Sequence, residues 1–252
     1  MDRILIVPAA GRGSRLGAAG PKALIPVAGQ PMLDHLLRQH GPSVDRLVVV
    51  VAPAAVDDFT EFAARRNAPI DLAIQQQPTG MLDAILAAEP TIAQYRPRRI
   101  AITWCDQIAV SGVTIDRLRA RALTPRAAAL VFPTIVMDRP YIHFNRDAGG
   151  RIVGVRQRRE GDVMPERGEA DMGLFDLSLD TYLNELTAFA RGTKVASGTG
   201  ERNFLPFIPW IAERDAVETI PGIAPIEALG VNTPDELAAV EAYLARQAAN
   251  RS

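Results

Sequence analysis

Short, continuous apolar runs recur through the first half of the chain, each closed by turn-forming residues. Residues 4–7 (Ile-Leu-Ile-Val) and 47–51 have the look of strands buried on both faces, as in a parallel sheet, and residues 70–74, 100–104 and 127–132 also predict strands. Between them the apolar positions change to helical spacing. After Pro31 they fall at Met32, Leu33, Leu36 and Leu37, and residues 56–66, 81–88 and 115–123 also predict helices. Strand and helix therefore alternate, which predicts a mainly parallel sheet with helices on both faces.

The second half is less regular. Residues 141–145 and 151–156 flank Asp147-Ala148-Gly149-Gly150 and predict a hairpin. Residues 173–177 predict one further strand. Residues 179–189 and 204–213 predict helices, the latter interrupted by Pro206 and Pro209. A final helix starts with Thr233 as N-cap and Pro234 in the first turn, then runs through Leu237, Val240, Ala242 and Leu244. The polar, Gly-rich stretch 192–202 is expected to be an active-site loop rather than a linker, because the pieces beside it are too small to fold alone. The expectation is one domain over residues 1–252.

Composition narrows the function classes. A chain that is 48% hydrophobic and 23% charged is ordinary for a soluble globular protein. A net charge of −1 gives no global field for nucleic acid or an anionic membrane. The basic cluster Arg156, Arg158 and Arg159 is expected to be a solvated strand edge. The one cysteine, Cys105, cannot form an intrachain disulfide. No apolar run is long enough for a signal peptide or a membrane span. These features together predict a cytoplasmic protein. The histidines His35, His40 and His143 lack metal-site spacing and are expected at solvated or core-edge positions. Cys105 has no visible activating partner, and no nucleophile elbow occurs.

The chemistry concentrates after the first strand. Val7-Pro8-Ala9-Ala10-Gly11-Arg12-Gly13-Ser14-Arg15-Leu16-Gly17 leaves its carboxyl end, where open α/β sheets bind ligands. Small residues there let backbone N–H groups approach phosphate oxygens. Arg15 and Lys22 add fixed positive charge. The spacing matches neither the dinucleotide fingerprint nor a G-K-[ST] phosphate loop.

With Pro21-Lys22-Ala23-Leu24-Ile25-Pro26-Val27-Ala28-Gly29-Gln30-Pro31-Met32 added, the segment resembles the signature of the sugar-phosphate nucleotidyltransferases, the nucleoside-diphosphate-sugar pyrophosphorylases. That resemblance implies a three-layer α/β/α, Rossmann-like fold of the glycosyltransferase-A type. Its central sheet would be mixed but mainly parallel, with a small β-rich subregion on the acceptor side. It implies nucleotide contacts at Ala9, Ala10, Gly11, Gly13, Gln75, Gln76, Thr79 and Gly80. It further implies catalytic roles for Arg15 and Lys22, and Mg²⁺ held by Asp106 and Asn232. Glu169-Ala170-Asp171-Met172-Gly173 is similar to the family's acceptor motif, which points to Glu169 and Asp171 at the acceptor. Three positions depart from the family pattern: Cys105 stands in a Gly place, Gln157 in a Glu place and Asp171 in an Asn place.

The expected activity is transfer of a nucleotidyl group, from UTP first, to a sugar 1-phosphate with release of pyrophosphate, in sugar-nucleotide biosynthesis. The expected partners are a nucleoside triphosphate and a small phosphorylated acceptor, with no nucleic acid or membrane; homo-oligomerisation is left open. The alternatives are cytidylyl or guanylyl transfer to a non-sugar phosphate or cofactor precursor, and a non-catalytic nucleotide-binding regulator. Hexapeptide repeats of an attached acyltransferase are absent from these residues.

Overall fold

The computed structural model describes residues 1–17, 20–66 and 68–249, with Ser14 described by its backbone only. Two residues of the Gly-rich loop, Ala18 and Ala19, thus lie outside the described residues.

In chain order the strands are β1 (Arg3–Pro8), β2 (Pro26–Val27), β3 (Gln30–Pro31), β4 (Arg46–Val51), β5 (Ile70–Ile74), β6 (Arg99–Thr103), β7 (Leu130–Asp138), β8 (Ile142–Arg146), β9 (Ile152–Gln157), β10 (Arg167–Asp171), β11 (Leu174–Ser178) and β12 (Val217–Pro221). The α-helices are α1 (Met32–His40), α2 (Val56–Ala64), α3 (Met81–Leu86), α4 (Glu89–Tyr95), α5 (Gly112–Ala122), α6 (Leu186–Gly192), α7 (Phe207–Ala212) and α8 (Pro234–Ala249).

The main sheet runs β10-β7-β11-β6-β1-β4-β5, with β12 on the other edge of β7. Strands β6, β1, β4 and β5 are mutually parallel, and β11 is inserted antiparallel between β6 and β7. Alternation along the strands divides the core into two layers. Ile4 and Ile6 face one way, with Val48 and Val50, against α3, α4, α6 and α7. Leu5 and Val7 face the other way, with Val49 and Val51, against α1, α2 and α8. Because both faces are covered, every residue of β1 is buried, which is why its sequence is apolar from Ile4 onward. The fold is therefore three-layer α/β/α with a mixed, mainly parallel sheet. The hairpin β8–β9 forms a separate two-stranded sheet beside it.

Several boundaries differ from the pattern-based expectation. Helix α5 starts at Gly112 rather than at residue 115, because Ser111 caps it by accepting from the Thr114 N–H. Strand β7 runs on to Asp138, its outer half, Ile135-Val136-Met137-Asp138, no longer fully buried. The segment around Glu169 and Asp171 is strand β10, with Thr134 opposite Asp171 and Val131 opposite Asp176. Met172 and Gly173 are the extra residues between those pairings, a bulge that joins β10 to β11. The helix expected over residues 204–213 is confined to Phe207–Ala212, and a π-turn, Thr181–Glu185, precedes α6. His35 and His40 are fully inside rather than at the core edge, whereas Arg156, Arg158 and Arg159 are exposed as expected.

Beneath the sheet, at the amino ends of β1 and β6, Arg3 and Arg99 both pair with the buried Asp176 of β11, Nε to Oδ2 at 2.7 Å and Nε to Oδ1 at 2.6 Å. Among the described residues no helix is long and apolar enough to cross a membrane.

Candidate nucleotide and acceptor site

The Gly-rich loop leaves β1 at the carboxyl edge of the sheet and folds back on itself. Arg12 bridges Pro21, and the Lys22 N–H donates to the Gly11 carbonyl at 3.1 Å. At its base the Ala9 N–H donates to the Val50 carbonyl at 2.7 Å, tying the loop to β4. Gly11 and Arg15 are exposed, while Ala9 and Gly13 are buried. This return places Lys22 beside the end of β6.

Asp106 follows β6 by three residues, and Asn232 lies just before the start of α8. Both reach the same ammonium group. Lys22 Nζ makes a short ion pair with Asp106 Oδ2 and donates to Asn232 Oδ1 at 2.8 Å. The stretch bearing Asn232 is held by the backbone, the Val231 N–H donating to the Asp106 carbonyl at 3.2 Å. A Cβ at Gly230 would sit 3.2 Å from Asp106 Cγ and 3.2 Å from Asn232 Nδ2, so a side chain there would press on both functional groups. Glu236 completes the support: its carboxylate accepts from the N–H groups of Asn232 at 2.8 Å and Thr233 at 2.9 Å, while Thr233 Oγ1 accepts from the Glu236 N–H. That is a capping box, and here it fixes Asn232 as well as the helix start. The same helix reaches the Lys22 segment, because Glu241 accepts from the Ala28 N–H at 2.8 Å.

A carboxylate and an amide oxygen converging on one cationic nitrogen are a donor set that fits a hard divalent cation. Mg²⁺ takes one or two protein oxygens and completes its sphere with phosphate and water. No group of three or more His, Cys, Asp or Glu occurs among the described residues that would make an all-protein cage. Cys105, next to Asp106, is buried. Desolvation, followed by the Asp106 charge, pushes its thiol up to about 12, so it is not a nucleophile at neutral pH.

The turn after β5 forms the next wall. Gln75 is buried and donates through Nε2 to the Gly80 carbonyl at 3.0 Å, whereas Gln76 and Thr79 are exposed. Gly80 has φ +124°, and a Cβ there would lie 2.5 Å from the backbone N and O of Arg202. Only glycine fits that approach.

On the acceptor side, Asp171 is buried and accepts from the Gly173 N–H at 2.7 Å. Burial raises its carboxyl to about 6, against the opposing pull of that N–H. The Met172–Gly173 bulge beside it packs on the Trp104 and Gln107 side chains flanking Asp106. Glu169 is engaged with Arg146 of β8 at 2.6 and 2.7 Å. Burial works against its charge, but hydrogen bonds from Arg146 and Thr134 hold it below the usual carboxylate range.

Of the residues singled out from sequence, Lys22, Asp106 and Asn232 meet directly, and Gln75 and Gly80 meet each other. Arg15 stands on the exposed loop, and Glu169 and Asp171 share one strand. The supporting Gly230, Glu236 and Arg202 were not assigned roles from sequence. The Thr233-x-x-Glu236 spacing was the one signal that could have found Glu236.

Comparison with known proteins adds independent information. Residues 5–167 match the family model described as the MobA-like NTP transferase domain. Similar curated proteins include the bifunctional protein GlmU of Azoarcus sp. (strain BH72), 29% identical over 98% of this chain and 53% of the relative. The bifunctional protein GlmU of Cupriavidus necator is 32% identical over 94% of this chain and 51% of its own length. That of Thermus thermophilus is 30% identical over 96% and 52%. The chain thus spans about half the length of these relatives.

Proposed function

Because this chain belongs to the family of MobA-like NTP transferase domains, we propose that it transfers a nucleotidyl group from a nucleoside triphosphate, UTP first, to a sugar 1-phosphate. A phosphate oxygen of the acceptor attacks the α-phosphorus, the bond from that phosphorus to the bridging α–β oxygen breaks, and pyrophosphate leaves. A phosphate monoester is already largely ionised near neutral pH, so the acceptor needs no strong general base. The barrier lies in bringing two anions together in line, and positioning with charge neutralisation lowers it.

The observation that carries this reading is the meeting of Lys22, Asp106 and Asn232 at one point below the Gly-rich loop. Lys22 neutralises charge growing at the α-phosphate, and Arg15 holds the β- and γ-phosphates. Backbone N–H groups of residues 10–12 approach the phosphate oxygens, the Ala9 N–H being used on the Val50 carbonyl. Asp106 and Asn232 would hold Mg²⁺, which would supply positive charge to offset the negative charge of the reacting phosphates. The Gln75–Gly80 turn borders the base, and Asp171 borders the acceptor.

A second reading, transfer of a cytidylyl or guanylyl group to another phosphate, is favoured by one observation. The buried carboxylate of Asp171 replaces the amide of the family pattern and, beyond the sugar hydroxyls that either group could bind, would suit an acceptor that carries positive charge. Pyrophosphate release across nucleotides and acceptors separates the two readings, and requirement for a different pair would displace the first.

A further inference from the structure

Glu160 follows β9 through a single turn, Arg158–Glu160. Its carboxylate collects four donors from the polar stretch that follows α6. Oε2 accepts from the N–H groups of Gly198 at 3.2 Å and Thr199 at 3.1 Å. Oε1 accepts from Thr199 Oγ1 at 2.7 Å and from Asn203 Nδ2 at 2.7 Å. Residues 199–203 are therefore an arch with both feet on one carboxylate. Arg202 stands inside that arch, and its backbone pairs with the turn after β5: its N–H donates to the Thr79 carbonyl at 2.8 Å, and its carbonyl accepts from the Leu82 N–H at 3.0 Å. The Arg202 side chain pairs with Asp83 of α3 and also donates to the Ala190 carbonyl. Gly80, between the two backbone bonds, lets the Arg202 backbone come so close that a Cβ there would lie 2.5 Å from its N and O.

We propose that Glu160 is a positioning residue for the nucleotide side of the site: it fixes the arch 199–203, and Arg202 in that arch fixes the Thr79–Gly80 turn. The proposal rests on the reading of that turn as a nucleotide contact. Glu160 itself touches no substrate. Among the described residues the Lys22–Asp106–Asn232 cluster shares no hydrogen bond with the arch, so loosening the arch weakens nucleotide binding and spares the chemical step. A shared carboxylate is suited to this work, because hydrogen bonds to a charged acceptor are stronger than neutral ones and one group can take four of them.

Glu160→Gln keeps the shape but turns an amide N–H₂ toward donors. We expect its KM for the nucleoside triphosphate to rise about tenfold while kcat stays within about twofold, as removal of uniform binding requires. Thr199→Val, which removes one donor, should act in the same direction by a smaller factor. Hydrogen exchange read by mass spectrometry provides the second measurement. In Glu160→Gln the amides of Arg202 and Leu82 should exchange faster, together with those of Gly198 and Thr199. Faster exchange confined to Gly198 and Thr199, or a fall in kcat with KM unchanged, overturns the proposal. The exchange measurement needs no nucleotide. A wild-type protein that binds no triphosphate would therefore remove the proposed function, while the Arg202 and Leu82 amides would still decide the coupling.

Discussion

The Lys22 ammonium and the Asp106 carboxylate form an ion pair in which the two side chains are 14% and 13% exposed, and Asn232 shares the same ammonium. A single lysine thus occupies the oxygen pair that would bind a divalent cation. Two positive charges would not share that position, so the proposed divalent cation would compete with the lysine for these oxygens.

Replacement of Lys22 by Met should separate these effects. Turnover is expected to fall by about 10²–10³-fold, the usual loss for one electrostatic contact to a developing charge. Affinity for Mn²⁺ in the absence of nucleotide is expected to rise, because the competing cation is gone. Calorimetric titration with Mn²⁺ checks this, and an unchanged or weaker affinity would mean that lysine and metal do not share these oxygens.

Gly230→Ala should damage activity more than stability. The new methyl lies 3.2 Å from Asp106 Cγ and Asn232 Nδ2, so these groups must give way by a few tenths of an ångström. Misplacement on that scale is expected to lower kcat by roughly tenfold or more, with little change in Tm. A thermal melt beside steady-state rates tests it; equal rates would show that Asp106 and Asn232 have slack.

How much of this was legible beforehand differs by element. The buried strands β1, β4 and β6 announced themselves, because cover on both faces forces apolar runs, whereas the edge strand β5, Ile-Asp-Leu-Ala-Ile, is fully buried only at Ala73. Strand β10 did not, since Arg167-Gly168-Glu169-Ala170-Asp171 has no apolar alternation and is a strand only through its pairing with β7. Lys22 and Asp106 were visible through family resemblance, although 84 residues separate them. The buried Arg3–Asp176–Arg99 group could not be read, because residues 173 apart carry no local signal of their meeting. Glu160 was equally silent: its importance comes from four loop donors that only the folded chain delivers.

The Asp171 carboxyl makes stability depend on pH in a definite direction. Its folded value of about 6 lies above the ordinary 3.8, so the folded state holds its proton longer. That contribution is full below pH 3.8 and is lost as pH rises through about 6. Asp171→Asn keeps an oxygen for the Gly173 N–H and carries no charge. It should stabilise the protein more at pH 8 than at pH 4, by up to about 3 kcal/mol. Denaturant melts at the two pH values provide the check, and an equal gain at both would exclude a buried charge as the cause.

His40 gives the opposite dependence. Its ring is buried, neither nitrogen has a hydrogen-bond partner among the described residues, and burial, then the nearby Arg3 charge, lowers its value from 6.5 to about 3. Stability from the neutral ring is present above pH 6.5 and is lost as pH falls toward 3. His40→Leu should therefore flatten the acid limb of the stability profile, measured by melts from pH 7 to pH 4. An unaltered acid limb would assign the loss to other groups.

The most direct test of the proposed activity is pyrophosphate release with Mg²⁺, measured across UTP, CTP, GTP, ATP and dTTP against sugar 1-phosphates and other small phosphate monoesters. The expected result is release that requires one triphosphate, UTP first, and one acceptor together. It should stop when the divalent cation is chelated. No release with any pair, together with no calorimetric binding of any triphosphate, would contradict the reading of the Gly-rich loop and of the Lys22–Asp106–Asn232 cluster beneath it.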